Sequence, residues 1–300
     1  MQRKPLDAEM AMFQDAARKF FQTEIRPHSE RWREAGIVDR EAYRKAGDAG
    51  YLCMWADEAY GGLGLKDFRF EQILIEENAF HGDPGYFITL HSRLVAPYIG
   101  HFGTESQKAR LLPGLISGEK ILAIAMTEPD AGSDLAGMKS RAVRDGDDWI
   151  LNGAKTYISN GILADVVIVA ARTDPDNPHG VTLFLVERGM AGFERGRMLK
   201  KMGMKSQDTA ELFFRDVRIP AENVLGQVNR GFHHLMKGLA EERLIAACGN
   251  VAAAQPARLC PADPAHGGES EIFPAQQEPV QRPEDEGRQR GKEQVEHQRQ

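Results

Sequence analysis

The residues able to do chemistry fall into three groups. The first is Ala125–Asp134, AMTEPDAGSD, which follows a short apolar run. Its small residues and hydroxyls suit close approach of backbone to a phosphate or a flat ring. The same composition also makes an ordinary polar turn. The second is Asn152–Gly161, NGAKTYISNG. On a strand, Tyr157 and Ser159 alternate onto one face. An aromatic beside a hydroxyl can pack on a conjugated ring and hydrogen-bond its edge, and a surface hairpin is the alternative. The third lies on a helix expected from Phe232. Phe232, Leu235, Leu239, Glu242 and Ala246 recur at spacings of three and four, so Glu242 interrupts an apolar stripe. Glu241 is expected to point about 180° away from Phe232. A carboxylate in apolar surroundings has its pKa raised unless it is paired. Glu242 therefore reads as a general base poised near neutral pH, with Arg243 close enough to be its partner. A structural Glu–Arg pair at a helix interface is the alternative.

Other chemistries find no support. No G-x-G-x-x-G opens a helix after a strand, so a Rossmann site is not indicated. Ser117–Lys120 matches S-x-x-K but lies in a loop, without the companion motifs of a penicillin-recognising hydrolase. His233 and His234 are adjacent and face different directions on a helix. Cys53, Cys248 and Cys260 are too scattered for a disulfide framework or a cysteine-based zinc site. With 38 Lys and Arg against 44 Asp and Glu, the net charge of −6 gives no general attraction to nucleic acid or anionic membrane. Any polyanionic ligand must be held by local groups.

The elements that position these residues change character along the chain. Residues 7–120 read as helices. Met10, Phe13, Ala17, Phe20 and Phe21 form a stripe in a helix expected over 7–33, with Asp7 as its N-cap. Asp67–Ala79 places Phe70, Ile73, Leu74 and Ile75 opposite Glu76 and Glu77. Thr104 and Gln107 make a capping box, and Pro113-Gly114 is expected to end that helix. From residue 121 the period shortens. Ile121–Met126, Trp149–Leu151, Ala164–Ala171, Val181–Val186 and Ala210–Phe214 read as strands, with a hairpin signal at Asp145-Gly146. The expected fold is α+β. An N-terminal helical domain covers 1–120, a central antiparallel β-domain 121–231, and the first helix of a C-terminal helical domain 232–255.

Residues 256–300 differ from the rest. They hold six of the fifteen prolines and seven glutamines, and too few apolar residues to offset the entropy of ordering. A disordered tail is expected, either natural or out of frame. The N-terminus shows no apolar signal region, and no run approaches the ~20 apolar residues of a membrane span. A cytoplasmic location is the expectation.

In their order these pieces resemble the acyl-CoA dehydrogenase family. The matching landmarks are GGLGL (61–65), FGTESQKARLLPGLISGE (102–119), AMTEPDAGSDLAG (125–137), LNGAKTYISNG (151–161), KKMGMKSQDTAELFFRDVRIP (200–220) and LAEERL (239–244). The resemblance runs from about residue 7 to 255. It implies that Ile124 to Ser133 binds FAD and the acyl-CoA. Met126 and Thr127 would contact the flavin ring, and Gly132 and Ser133 would lie near the pyrophosphates of FAD and CoA. Tyr157 and Ser159 would pack beside the isoalloxazine, Tyr157 standing where most members have Trp or Phe. Glu242-Arg243 matches the catalytic carboxylate and following Arg of the long-chain and isovaleryl-type subgroup, with both residues at the substrate.

The implied reaction is α,β-dehydrogenation of an acyl-CoA thioester: Glu242 takes the α-proton and the β-carbon gives hydride to flavin N5. The implied acceptor is an electron-transfer flavoprotein, and the family is usually homotetrameric. Beyond Gln255 the family's further C-terminal helices are not recognisable. Three functions therefore stand as expectations: an acyl-CoA dehydrogenase, a non-catalytic remnant with weak or no flavin binding, or a flavin oxidase or monooxygenase on the same fold.

Overall fold

The computed structural model describes residues 5–134, 137–177 and 179–259. Helix α1, Ala8–Phe20, starts where the Asp7 carboxylate accepts the Met10 amide at 2.9 Å. The single helix expected over 7–33 is not continuous. A π-helical turn, Phe21–Ile25, and a 3₁₀ turn, Arg26–His28, separate α1 from α2, Ser29–Ala35. Pro27 is the physical reason, since it has no amide to continue the α pattern. The wider turn also buries both Phe21 and Ile25.

Helices α3, Arg40–Asp48, and α4, Phe68–His81, complete the first helical core around Trp32, Tyr43, Ile73 and Tyr86. Glu77 does not face water as expected from its position on α4. It is buried and accepts from Gln14 and Arg18 on α1, which supply the partners a buried carboxylate needs. Another π-helical turn, Leu90–Val95, leads into α5, Ala96–Phe102. Helix α6, Glu105–Ile116, has the expected capping box at Thr104 and Gln107, but it runs through Pro113 and Gly114. Burial of Leu111, Leu112 and Leu115 around the proline offsets the lost backbone bond, roughly 1.5–3 kcal/mol per side chain against ~3 kcal/mol.

Among the described residues eight strands form one sheet: β1 Leu122–Ala125, β2 Arg141–Asp145, β3 Asp148–Ser159, β4 Val166–Arg172, β5 Val181–Glu187, β6 Phe193–Met198, β7 Thr209–Ile219 and β8 Val224–Leu225. Their order is β6-β7-β3-β2-β4-β5-β8, with β1 also paired to β4. The sheet is mostly antiparallel. The exceptions are β1, which lies parallel to β4, and a one-residue parallel contact of β2 with β4. Strand β4 is buried on both faces. Val166, Ile168 and Ala170 meet one core with the helices, while Val167, Val169 and Ala171 meet the other inside the sheet domain. That is why its sequence is an unbroken apolar run. Strands β2 and β6 bury only Ala142 and Phe193, so neither carries an alternating pattern. The hairpin from β2 to β3 turns at Gly146, at φ +63°.

Helix α7, Gly231–Leu259, follows the sheet. The described residues up to Arg258 cluster as one unit, and the expected disordered tail lies outside the described residues from position 260 onward. Among the described residues no helix is long and apolar enough to cross a membrane.

His91 ties the helices to the sheet. It is fully buried; its Nε2 donates to the Leu115 carbonyl at 2.9 Å, and its Nδ1 accepts the Leu122 amide at 3.1 Å. Acceptance at Nδ1 requires the neutral ring. Burial pushes its pKa down to about 4. The unfolded chain, with a His pKa near 6.5, binds a proton that the folded chain refuses. Stability from this group is therefore complete above pH 6.5 and falls as the pH drops toward 4, by on the order of 3 kcal/mol. Urea midpoints of the wild type and His91→Gln should converge across that window, and a constant difference would contradict this account.

Candidate active site

The loop after β1 is held from within. Glu128 and Ala131 exchange backbone hydrogen bonds of 2.7 and 3.3 Å, closing a tight turn. The Glu128 carboxylate is buried. Its Oε1 accepts the Lys155 ammonium at 2.8 Å and the Ser140 amide at 3.0 Å, and its Oε2 accepts the Lys139 amide at 2.6 Å. Lys155, also buried, donates a second bond to the Met126 carbonyl at 3.0 Å. The Thr156 amide donates to the Thr127 carbonyl at 3.0 Å. These bonds stitch the first motif to the second. Burial pulls the Lys155 ammonium below the usual lysine range, and Glu128 opposes that pull. Burial also works to raise the Glu128 carboxyl, but Lys155 and the amides outweigh it and leave it lowered.

This stitching places the residues singled out in the sequence. Ile124 and Met126 are partly buried against the core that contains Tyr98 and Leu235. Thr127 is partly buried, and Gly132 and Ser133 are exposed. Tyr157 and Ser159 lie more open than the buried Ile158 between them, but the strand is bulged there. Between Lys155 and Ile158 the register of β3 against β7 shifts, and Tyr157 takes φ +58° and is 68% exposed. Such a backbone costs about 1–3 kcal/mol in a non-glycine residue. Ile158 turns inward, while Ser159 is partly exposed.

The arrangement fits a flat ring with a phosphate tail. Tyr157 offers an aromatic surface. The side-chain hydroxyls of Thr127, Ser133 and Ser159 hold no hydrogen bond among the described residues. A Cβ built on Gly132 meets no atom within 4 Å, so the backbone there is open to close approach. Among the described residues no group of three or more His, Cys, Asp or Glu is placed to hold a metal.

The carboxylate sits on α7. Glu242 lines a cavity of about 350 Å³ with Arg93, Tyr98, Phe102, Gly238 and Glu241. Its Oε1 accepts the Tyr98 hydroxyl at 3.1 Å. Burial raises its pKa above the usual glutamate range, and the Tyr98 bond only partly offsets this. A Cβ on Gly238 would stand 2.5 Å from the Tyr98 hydroxyl, so glycine makes room for that bond.

Two local expectations are corrected here. Arg243 is exposed, and Tyr98 holds Glu242 in its place. Glu241 does not point away: it lines the same cavity and pairs with Arg93 at 2.5 Å. The reason is helix phase. The face that meets the fold carries Leu235, Gly238, Ile245 and Ala252, and Ala246 of the expected stripe is exposed. At about 100° per residue, Glu241 and Glu242 flank that face on either side. Tyr98 and Arg93 escaped the sequence reading because nothing local links them to α7.

Residues 7–119 match the acyl-CoA dehydrogenase N-terminal domain and residues 123–217 the middle domain. The chain belongs to the acyl-CoA dehydrogenase family. Over 248 residues it is 49% identical to the mitochondrial long-chain specific acyl-CoA dehydrogenase of Mus musculus, covering 82% of this chain and 57% of that protein. A crystal structure of an acyl-CoA dehydrogenase from Geobacillus kaustophilus is 48% identical, with a TM-score of 0.82 over 85% of this chain and 67% of that one. A glutaryl-CoA dehydrogenase from Mycobacterium smegmatis, in complex with FADH2, is 35% identical, with a TM-score of 0.76 over 83% and 63%. This chain thus spans little more than half the length of the curated long-chain relative.

The buried clamp yields a contrast between two lysines. Lys155→Met strands the Glu128 charge and should cost about 3–5 kcal/mol, read as a lower urea midpoint. Lys139→Ala removes an exposed pair with Asp130 and should leave the midpoint nearly unchanged. Equal effects of the two substitutions would show that the clamp is not what orders the loop.

Proposed function

We propose that the chain's function is FAD-dependent α,β-dehydrogenation of an acyl-CoA thioester. The observation that carries the reading is Glu242: a half-buried carboxylate of raised pKa, held by one neutral hydroxyl on the wall of a cavity. An α-proton beside a thioester needs a base stronger than an ordinary solvated carboxylate, and burial supplies that strength. Tyr98 fixes the carboxylate without cancelling its charge.

Ile124, Met126, Thr127, Tyr157 and Ser159 would hold the flavin ring, and Gly132 and Ser133 the pyrophosphates of FAD and CoA. Arg243, exposed on α7, would serve the substrate outside the cavity. When bound, FAD supplies the two-electron acceptor for the hydride leaving the β-carbon. The 1–3 kcal/mol of backbone strain at Tyr157 supports a role in presenting its ring. An electron-transfer flavoprotein is the proposed reoxidant, and a homotetramer the proposed assembly.

A second reading, a remnant that binds flavin weakly and does not turn over, is favoured by one feature. Met236, Leu244 and Val251 on α7 are 39%, 46% and 60% exposed, an uncovered apolar side. Visible absorbance separates the two readings. The dehydrogenase reading expects bound flavin, bleached on adding acyl-CoA, whereas colourless protein that stays colourless with added FAD leaves the remnant. Glu242→Gln should lower turnover by about 10²–10⁴ while the acyl-CoA perturbation of the flavin spectrum survives. Unchanged turnover in that variant would remove Glu242 as the base.

A further inference from the structure

A second cavity, at the start of α7, is lined by basic groups that the proposed reaction does not use. It holds about 630 Å³ between the end of α5, the loop after β8 and α7. Arg230 precedes α7, His233, His234 and Lys237 lie on its first two turns, and His101 comes from α5. In a chain of net charge −6, no carboxylate lines this cavity among the described residues. Arg230 and Lys237 form no ion pair among the described residues, so two permanent positive charges stand unpaired. The first turn of α7 holds no acidic residue either, which leaves the positive end of its dipole uncompensated.

His234 turns this basic rim into a built site. It is 9% exposed, and its Nδ1 is buried without a hydrogen-bond partner. Its ring stacks on Phe102 with centroids 4.0 Å apart. Gly226 gives it room, since a Cβ there would stand 2.3 Å from the ring Cε1 and 2.9 Å from Nδ1. Packing thus holds a polar ring with an unmet nitrogen in the wall of the cavity, at a cost in free energy. Burial pulls its pKa below the usual histidine range, and the charges of Lys237, Arg230 and His233 add to that pull. An anion in the cavity reverses the pull by favouring the protonated ring, which donates from both nitrogens.

We propose that this cavity binds a phosphate group: Arg230 and Lys237 match its two negative charges, and His233 and His234 donate to its oxygens. The class follows from the charge. A phosphate near pH 7 carries about −1.5 to −2, whereas a carboxylate would leave one of the two fixed cations unmatched. The arginine fork suits phosphate oxygens in particular. The volume falls within the roughly 300–1,000 Å³ of small-molecule sites, and Phe102 and Met236 add an apolar wall beside the charges. The site is separate from the proposed reaction, because none of Gly132, Ser133, Tyr157 and Glu242 lines it.

The test is a proton NMR titration of the full chain with inorganic phosphate, at fixed pH and with ionic strength held by chloride. The imidazole Cε1–H signals are assigned by their loss in His233→Gln and His234→Phe. Both should move along one saturable curve with a midpoint of about 1 mM or lower, while His81 at the end of α4 stays still. Arg230→Gln and His234→Phe should each weaken binding roughly tenfold or more. Arg230 is exposed, and Phe keeps the stack on Phe102, so both variants retain the fold. Lys19→Gln, an equal loss of charge on α1, should bind as the wild type does. Phenyl phosphate distinguishes the source: tighter binding than inorganic phosphate identifies an ester with an organic part, and equal or weaker binding identifies free phosphate. Acetate binding as tightly as phosphate, shifts that never saturate, or unchanged affinity in Arg230→Gln or His234→Phe would overturn the proposal. The readout needs neither flavin nor turnover, so it stands or falls independently of the dehydrogenase reading.

Discussion

Glu128 and Lys155 meet at 2.8 Å with almost no exposure to water, 27 residues apart in the chain. Removing two charges from water is tolerated only where each finds its partner and its remaining hydrogen bonds. Glu128 finds two amides besides Lys155, and Lys155 finds the Met126 carbonyl. The arrangement has little freedom to slip, because any displacement exposes a bare charge to an apolar interior. The loop after β1 and the bulge in β3 are thus fixed against each other, and Thr127, Ser133, Tyr157 and Ser159 inherit their places from that constraint.

The same economy of buried charge shapes the cavity at α7. There the cation is shared, not clamped, and the polar groups outnumber their bonds. Glu71 and Arg93 each keep an unsatisfied atom. The two sites therefore treat buried charge differently: one pairs it fully, the other leaves atoms without a bond.

Features that depend on neighbours in sequence were legible. Asp7 and Thr104 cap their helices because the bonds they make span three residues. Strands β4 and β5 were visible because burial on both faces produces a continuous apolar run. Strands β2 and β6 were not, since each buries one large or small apolar residue among polar ones. The motif residues could be named from type and spacing. What could not be read was the phase of α7, which is set by where it meets α5 and the sheet. Tyr98 lies 144 residues from Glu242, and no local pattern encodes that meeting. The break at Pro27 and the passage through Pro113 make the same point from opposite sides: proline states a local cost, and packing decides whether it is met.

Tyr157 has a wider consequence. Its backbone occupies a region that glycine enters freely and tyrosine does not, and its ring is left largely in solvent. Selection for folding alone would replace it, because glycine there would relax the chain and remove an exposed aromatic surface. A library screened purely for heat resistance should drift away from tyrosine at this position, while one screened for ligand retention should hold it. The opposing drift would make residue 157 a direct gauge of which pressure the chain is under.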